Sequence, residues 1–299
     1  MRLGEAARGK WRGILLALGV DQQFLTGKHG PCPFCEGRDR FRWDNEGGKG
    51  TFICGQCGAG DGFEFIKRLN GWDFKTAARE VEQVIGHCSQ EPAKPKLDEA
   101  KRVRLMNELW LGASPLTAGD MAGRYLEGRG VLPGSIPSCL RFHPRCPVPM
   151  GGFLPAMLAM VTNADGTPCN IHRTFLGPKG KAEIENPRAM MPGELPAGCA
   201  VRLYPLHGEQ LGIAEGIETA IAAAKRFRVP TWAALNSSLL QNWTPPVGVT
   251  SVMVFGDNDR AFGGQAKAYA LAHRLAVRHR IAVEVMIPGS SGDDWADAA

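Results

Sequence analysis

The sequence predicts a multidomain α+β and α/β protein made of three successive parts. Two closely spaced cysteine pairs near the N-terminus indicate a small β ribbon with flanking helices. A middle stretch of short apolar runs between Gly/Pro turns is typical of a mostly antiparallel α+β subdomain. In the last third, strand-like and helix-like runs alternate, which predicts an α/β domain with a Rossmann-like, mostly parallel sheet.

Composition restricts the class of protein. With 299 residues, 44% of them hydrophobic, the chain can form two or three domains with real cores and is not disordered. It has no uninterrupted apolar run of roughly 18 to 20 residues, so no membrane partner is expected. The N-terminal apolar run from Trp11 is short and lacks a cleavage site, so it predicts an amphipathic helix in a cytoplasmic protein. The net charge of +5 is only a mild basic bias.

The cysteine pairs predict one structural zinc ion. Cys32 and Cys35 are separated by eighteen residues from Cys54 and Cys57, which is within the spacing of a four-cysteine zinc ribbon. Four thiolates complete a tetrahedral site, so His29 is expected outside it. Disulfides are disfavoured because there is no export signal. The remaining cysteines have no paired spacing and are expected to be free thiols: Cys88, Cys139, Cys146, Cys169 and Cys199.

Basic and aromatic residues alternate between the two cysteine pairs. A basic face can follow a phosphate backbone, and an exposed aromatic ring can stack on an unpaired base. This pattern predicts contacts with single-stranded nucleic acid from Arg38, Arg40, Arg42, Trp43 and Lys49. Alternatively, Trp43 and its aromatic neighbours form the small core of the ribbon, and the arginines form its solvated face.

Hydrophobic periodicity predicts the elements of the first half. Helices are expected near residues 4–19, 62–69 and 74–85, which with the ribbon make a first domain over 1–86. A polar segment with two prolines, 87–100, is predicted to be a linker. Further helical stretches are expected at 97–112 and 117–128.

The second half of the chain divides into two parts at the point where the hydrophobic period changes. Strands are predicted at 140–143, 156–162, 170–176 and 199–204, so residues 101–206 form the antiparallel subdomain. Residues 207–299 form the last domain, with strands predicted at 211–214, 231–235, 251–255 and 282–287 and helices at 218–227 and 264–278.

Acidic residues follow the predicted strands of this last domain. Glu215 comes after one strand, Asp257 and Asp259 after another, and Asp294 lies in the terminal Gly-Asp-Asp-Trp motif. Because the carboxyl ends of parallel strands converge, these side chains are expected to cluster and to bind a divalent cation, Mg²⁺ or Mn²⁺. Three unrelated solvated turns are the alternative. The chain lacks a P-loop, which excludes a nucleotide-driven motor in this sequence.

Taken together, these motifs resemble a known family. The ordered acids resemble the Toprim domain shared by bacterial-type primases, type IA and II topoisomerases, some nucleases and recombination-mediator proteins. Residues 29–43 and 50–62 resemble the zinc ribbon of phage and plasmid primases. Residues 171–176 and 214–220 resemble the middle and Toprim parts of the same group.

The resemblance implies DNA-templated synthesis of short RNA primers from ribonucleoside triphosphates. It assigns catalysis to Glu215, Asp257, Asp259 and Asp294, with magnesium bound by the three aspartates. Single-stranded DNA would be the template, in phage- or plasmid-type replication in a bacterial cell. Since the chain has no motor, we expect a separate replicative helicase or a larger parent protein.

Basic residues just ahead of the acidic domain are candidates for binding the triphosphate. They are Arg173, Lys179 and Lys181, in a segment whose glycines allow close approach to phosphate. An ordinary basic hairpin turn is the alternative. The role of Glu218 stays open, because the second acid of the family's glutamate motif stands one residue later. The roles of Asp293 and Asp297 also stay open, because the terminal motif has two adjacent aspartates and Asp297 is either an outer ligand or a helix cap.

Two other functions are compatible with the same motifs. One is a non-catalytic DNA-binding protein of the recombination-mediator kind, which also combines a zinc motif with Toprim. The other is a metal-dependent nuclease that uses the same acids.

Overall fold

The computed structural model describes residues 3–91, 98–149, 151–193 and 195–298. Contacts between residues divide the chain into two compact units, Met1–Lys96 and Leu97–Ala299. This division falls inside the predicted linker, of which residues 92–97 lie outside the described part. The further division of the second unit at residue 206 stays a prediction.

The first unit is a small antiparallel sheet accompanied by helices. Its sheet has the order β1-β2-β3. The elements are α1 (Leu3–Ala6), α2 (Trp11–Ala17), β1 (Phe41–Trp43), β2 (Phe52–Cys54), β3 (Gly58–Gly60), α3 (Gly62–Asn70) and α4 (Phe74–Ile85).

The single N-terminal helix predicted over 4–19 is wrong, since the structure has two short helices there. Between them Gly9 adopts φ 78°, a left-handed conformation that ends a right-handed helix. Its N–H donates to the Gly48 carbonyl at 2.7 Å instead of continuing the helix. The turn therefore ties the helical segment to the ribbon.

The core of the first unit forms around Trp11, which is 2% exposed. The Trp11 ring packs edge-to-face against Phe63, with centroids 4.8 Å apart. It lies so close to Gly50 and Gly62 that neither position has room for a side chain. Phe41, on β1, belongs to the same core, so helix α2 and the ribbon share one apolar cluster.

The second unit contains two sheets. Its elements are α5 (Glu99–Leu111), β4 (Ser114–Pro115), α6 (Met121–Gly128), β5 (Leu140–Pro147), β6 (Phe153–Thr162), β7 (Pro168–Gly177), β8 (Gly180–Lys181), β9 (Arg188–Met190), β10 (Gln210–Ala214), α7 (Ile217–Phe227), β11 (Thr231–Ala233), α8 (Ser237–Asn242), β12 (Ser251–Phe255), α9 (Gly263–Arg274) and β13 (Ala282–Met286). Helix α9 continues as a π-helical turn, Leu275–His279.

The two sheets confirm the predicted fold class. The first is antiparallel, with the order β4-β5-β6-β7-β8 and with β9 paired to β7. The second is parallel, with the order β11-β10-β12-β13. Among the described residues, no helix is both long enough and apolar enough to cross a membrane.

The strand predicted over 199–204 is wrong. Ala200 forms an isolated bridge with Thr162 of β6, whereas Val201 forms one with Ala233 of β11. Because neighbouring residues pair with different sheets, no continuous ladder can form. This segment instead joins the antiparallel sheet to the parallel one.

Helix α8 was not predicted, because its six residues are too few for a clear apolar period. The Asn236 side chain begins this helix by accepting the Leu239 N–H at 2.8 Å.

The parallel sheet is buried on both faces. Leu211, Ile213, Val252 and Val254 enter one apolar cluster, whereas alternate residues such as Phe255 enter the other. Near-continuous apolar strands of this kind are expected where helices cover both faces. This packing fixes the central strands β10 and β12, and so it also fixes where the loops at their carboxyl ends begin.

Gly62→Ala tests the packing around Trp11. A Cβ at residue 62 would lie 2.2 Å from two atoms of the Trp11 ring. Alanine normally favours a helix by about 1 kcal/mol, but the overlap costs more. We expect the free energy of unfolding of the first unit, measured by urea titration, to fall by about 2 kcal/mol.

Gly86→Ala is the matched control, because Gly86 ends α4 with φ −66° and nothing lies within 4 Å of an added Cβ. An equal loss of stability in both variants would show that contact with Trp11 is not the cause.

Candidate metal centres and active site

The structure brings together the four predicted zinc ligands. The Sγ atoms of Cys32, Cys35, Cys54 and Cys57 all lie within 4.8 Å of one another. The Cys32–Cys57 and Cys35–Cys54 Sγ separations are both 3.8 Å. Zn–S bonds of about 2.3 Å in a tetrahedron require sulfur separations of about 3.8 Å, so the four thiols fit zinc. His29 is exposed and lies outside the group.

The aromatic residues of the ribbon form its core. Trp43 is 5% exposed, and Phe41 and Phe52 are also buried. The prediction that Trp43 stacks on a base required an exposed ring, and its burial contradicts that prediction. The rings of Phe41 and Phe52 contact Phe65 of α3, with centroids 5.9 and 5.3 Å apart, because the helix covers this face of the sheet.

The basic residues of the ribbon stay accessible. Arg38, Arg40 and Lys49 are exposed, and the Arg40 guanidinium donates to the Gln56 side chain. Arg42 is half-buried, with its guanidinium 3.7 Å from the Asp44 carboxylate. These residues keep a cationic surface beside the cysteine cluster, and their contact with DNA stays a prediction.

Two of the predicted acids follow neighbouring parallel strands. In the β10–β12 register Ala214 pairs with Phe255, so Glu215 and Asp257 come at the same edge of the sheet. Burial is the main cause that raises the pKa of Asp257 to about 7, and the negative charges of Glu215, Asp294 and Asp259 add to it. Burial likewise raises the pKa of Glu215, and Asp259 contributes. The four carboxylates therefore influence one another electrostatically.

Asp257 offers a buried oxygen atom for a cation. Its Oδ1 is inaccessible and has no hydrogen-bond partner among the described residues. An unpaired buried carboxylate oxygen is costly unless a cation or a donor satisfies it. Together with the raised pKa values of two adjacent acids, this oxygen fits a divalent cation.

Protein groups already engage the other two acids. The Asp259 Oδ2 accepts the Gly264 N–H at 2.7 Å in the first turn of α9. The Asp294 Oδ1 accepts the Ala296 N–H at 2.7 Å, and its Oδ2 lies 3.2 Å from the Arg129 guanidinium. In the described part of the chain, no three carboxylates approach as closely as the cysteine sulfur atoms do.

The terminal acidic loop is attached to the Asp257–Asp259 loop through Asn258. The Asn258 N–H donates to the Asp293 carbonyl at 3.0 Å, and the Gly292 N–H donates to the Asn258 carbonyl at 2.6 Å. Asp297 forms a second ion pair with Arg129, at 3.0 Å. Asp293 thus acts through its backbone, whereas Asp297 helps Arg129 to hold Asp294.

Arg173 does not lie free to bind a nucleotide. It is 6% exposed, and its guanidinium donates to the Pro147 and Met190 carbonyls at 2.9 and 2.8 Å. Its strand, β7, is buried over consecutive residues 170–176, so both faces of the strand are covered. The prediction that Arg173 contacts the triphosphate is therefore wrong in this structure. Lys179 is exposed, as the prediction for that residue requires.

Lys181 pairs with a carboxylate whose role the sequence left open. Its Nζ lies 3.4 Å from Glu218 Oε1, and Glu218 is 6% exposed. The Tyr125 hydroxyl donates to the same Glu218 oxygen. Both partners of Glu218 therefore come from residues 101–206, the segment that contains the antiparallel sheet and is called the antiparallel region below.

Sequence reasoning missed three residues near the acids: Tyr125, Arg129 and Arg188. Arg188 lies exposed on β9, and its positive charge opposes the effect of burial on the pKa of both Glu215 and Asp257. Tyr125 and Arg129 act on acids that lie 93 and 165 residues further along the chain. No local pattern links such distant positions, although Arg188 stands in a conspicuous Asn-Pro-Arg sequence.

Family models match three segments of the chain. Residues 27–63 match the zinc-binding domain of primase-helicase, and residues 210–299 match the Toprim domain. Residues 100–203 match a domain of unknown function. The chain thus joins a primase-type zinc ribbon to a Toprim domain.

Solved structures of primases are distantly similar. The zinc-binding and RNA polymerase domains of Aquifex aeolicus primase match 99% of this chain and 81% of their own, with 16% identity and a TM-score of 0.43. The primase fragment of the bacteriophage T7 primase-helicase protein matches 91% and 93%, with 12% identity and a TM-score of 0.41.

A DNA primase domain from Pseudomonas aeruginosa matches 47% of this chain, with 16% identity and a TM-score of 0.35. This chain covers 45% of that protein.

Cys54→Ser tests the zinc centre. Removing one of four thiolates opens the tetrahedron, and small metal-dependent domains lose their fold with the metal. We expect loss of bound zinc and unfolding of residues up to about 86, with the second unit still folded. Zinc content by atomic emission and limited proteolysis measure both effects.

Cys88→Ser controls for loss of a thiol in the same unit, because Cys88 is outside the cluster. Unchanged zinc content in Cys54→Ser would refute the ligand assignment.

Asp257→Asn tests the buried charge. The pKa of Asp257 is about 7 in the folded protein and 3.8 ordinarily, so the folded state binds the extra proton between those values. Without magnesium, stability should therefore fall as the pH rises from about 4 to 7. At pH 8 we expect the variant to be more stable than the wild type by about 1 to 3 kcal/mol.

Thermal unfolding in magnesium-free buffer at pH 5 and pH 8 measures this effect, and the difference between the two proteins should shrink at pH 5. Added Mg²⁺ should stabilise only the wild type. Identical pH profiles for the two proteins would contradict the buried-charge interpretation.

Proposed function

We propose that this protein is a DNA primase that synthesises short RNA primers on single-stranded DNA from ribonucleoside triphosphates. The observation that supports this best is the acid site at the carboxyl ends of β10 and β12, in one chain with a four-cysteine cluster. Neighbouring carboxylates, of which Glu215 and Asp257 have raised pKa values, support metal-dependent chemistry on phosphates. The match of residues 27–63 to the zinc-binding domain of primase-helicase supports nucleotide polymerisation on DNA among these reactions.

The acids have separate tasks in this proposal. Asp257, through its unpartnered Oδ1, and Asp259 would hold Mg²⁺, with Asp294 on the adjacent loop as a further ligand. The bound cation would neutralise triphosphate charge and acidify the attacking 3′-hydroxyl. Glu215 would receive the proton as the hydroxyl oxygen bonds to the α-phosphate and the bond to the leaving pyrophosphate breaks. Because burial raises its pKa, Glu215 is a stronger base than an exposed carboxylate.

Cations at the surface or partly exposed would bind the triphosphate. Lys179 and Lys181 lie on the β7–β8 hairpin, and Arg188 lies on β9, which also pairs with β7. They could offset phosphate charge that the metal leaves uncompensated. Arg173 contributes by fixing β7 rather than by touching substrate.

The ribbon would hold the template. Arg38, Arg40 and Lys49 present their charges to solvent and could follow the phosphate backbone. Because Trp43 is buried, we propose that the ribbon contacts the phosphate backbone of the template and does not stack on its bases. Since the sequence lacks a P-loop, unwinding of the template would require a helicase outside this sequence.

Primer synthesis tests the proposal directly. Purified protein with zinc bound, Mg²⁺, four ribonucleotides and single-stranded DNA should produce short RNA that is resolved on denaturing gels. Asp257→Asn combined with Asp259→Asn should lower the rate by at least about 100-fold, because the substitutions remove metal ligands.

Glu127→Gln, at an exposed position on α6, is the control for a lost surface carboxylate. Absence of product on any template would reject the proposal. Magnesium-dependent cleavage of labelled DNA without nucleotides would instead indicate a nuclease. Full biological function of the double variant would indicate a non-catalytic DNA-binding protein.

A further inference from the structure

Glu218 is a buried carboxylate that the proposed metal site leaves unused. It lies in the first turn of α7, three residues after Glu215. Its partners are the Tyr125 hydroxyl and the Lys181 ammonium, and both belong to the antiparallel region. A charged side chain in this position requires an explanation other than metal binding.

Stability does not explain why the pair is present. Burial by itself would raise the pKa of Glu218, but Lys181 and Tyr125 outweigh it and hold that pKa below its ordinary value. The carboxylate is therefore charged, and charging a buried group is costly. Replacing a buried ion pair by apolar residues is often neutral or stabilising. The presence of the pair is better explained by its effect on the position of the Lys181 side chain.

Glu218 restricts the position of Lys181. The lysine stands on β8, a two-residue strand, and its long side chain would be mobile if unpaired. Its Nζ lies 3.4 Å from the Glu218 carboxylate and 5.8 Å from the centre of the Tyr125 ring. The Lys181 side chain is still 34% exposed, so the ammonium can accept a second anion from the solvent side.

The Glu218–Lys181 pair lies next to the acid site. Tyr125 of α6 donates to Glu218, and Arg129, four residues later at the end of the same helix, lies 3.2 Å from Asp294. Because residues four apart on a helix are neighbours, the buried pair and the acid site lie against the same end of α6.

We propose that Glu218 is a positioning residue that holds the Lys181 ammonium beside the acid site, where it binds the triphosphate of the incoming ribonucleotide. A lysine fixed in place loses less freedom on binding phosphate than a mobile one does. This inference rests on the proposed primase function, because it needs a triphosphate at the acids.

A double-mutant cycle tests the coupling. Glu218→Gln keeps the size of the side chain and an acceptor for Tyr125 but removes the charge, and Lys181→Met removes the ammonium. Each single variant should weaken the binding of fluorescent ATP with Mg²⁺, and raise the KM for ATP, by about tenfold. The kcat should change by less than about threefold, and the double variant should be no worse than Lys181→Met.

Two further variants complete the design. Glu183→Gln removes an exposed carboxylate two residues from Lys181 and should leave ATP affinity unchanged. Tyr125→Phe removes only the hydroxyl that helps to orient Glu218, and it should weaken ATP binding less than Glu218→Gln does. If Glu218→Gln does not fold, Tyr125→Phe in a cycle with Lys181→Met tests the same coupling.

Independent, additive effects of Glu218→Gln and Lys181→Met would overturn the inference. So would a lower melting temperature of Glu218→Gln with unchanged ATP affinity, which would show a structural pair only. A large fall in kcat with unchanged KM would place Glu218 among the metal-binding acids instead. ATP binding is measured separately from primer synthesis. If the protein binds ATP but makes no primer, the proposed function is rejected, and the binding data still test the coupling of Glu218 and Lys181.

Discussion

The placing of several acidic side chains at one edge of the parallel sheet, where Glu215 and Asp257 are partly buried, is the constraint on which the second unit depends. The register of β10 and β12 leaves Glu215 and Asp257 side by side, because the carboxyl ends of parallel strands coincide. Burial raises the pKa of both acids, so the protein alone does not stabilise their ionised forms fully. A proton or a cation can neutralise such a site, and a divalent cation is the partner that the proposed function requires.

Much of the compensating charge comes from outside the parallel sheet. Arg129 follows α6 and pairs with Asp294, Arg188 stands on β9, and Lys181 stands on β8. The antiparallel region therefore carries cations for an acid site that belongs to the other sheet. The bridges of Ala200 and Val201 to the two sheets connect the same regions through the backbone. These ion pairs and bridges between the two sheets agree with the finding that residues 97–299 form a single compact unit.

The first unit is organised by a different principle. Its three-stranded sheet is too small to bury a large core alone, and small domains of this kind commonly rely on a metal. The four cysteines and a cluster of aromatic rings form one continuous core, in which Phe52 and Cys54 lie on the same face of β2. The aromatic residues of the ribbon are therefore committed to packing, whereas its basic residues Arg38, Arg40 and Lys49 remain on the surface.

The sequence by itself determined the zinc ligand set, the order of the two sheets and the positions of the acids at strand ends. These features follow from local spacing and from hydrophobic period, which short stretches of chain carry. Only the tertiary structure decided that Trp43 and Arg173 are buried and that Glu218 pairs with Lys181. Those outcomes depend on which distant elements cover a given side chain, as when Arg129 reaches an aspartate 165 residues away. Periodicity shows which face of an element is apolar, but only the packed fold shows what lies against it.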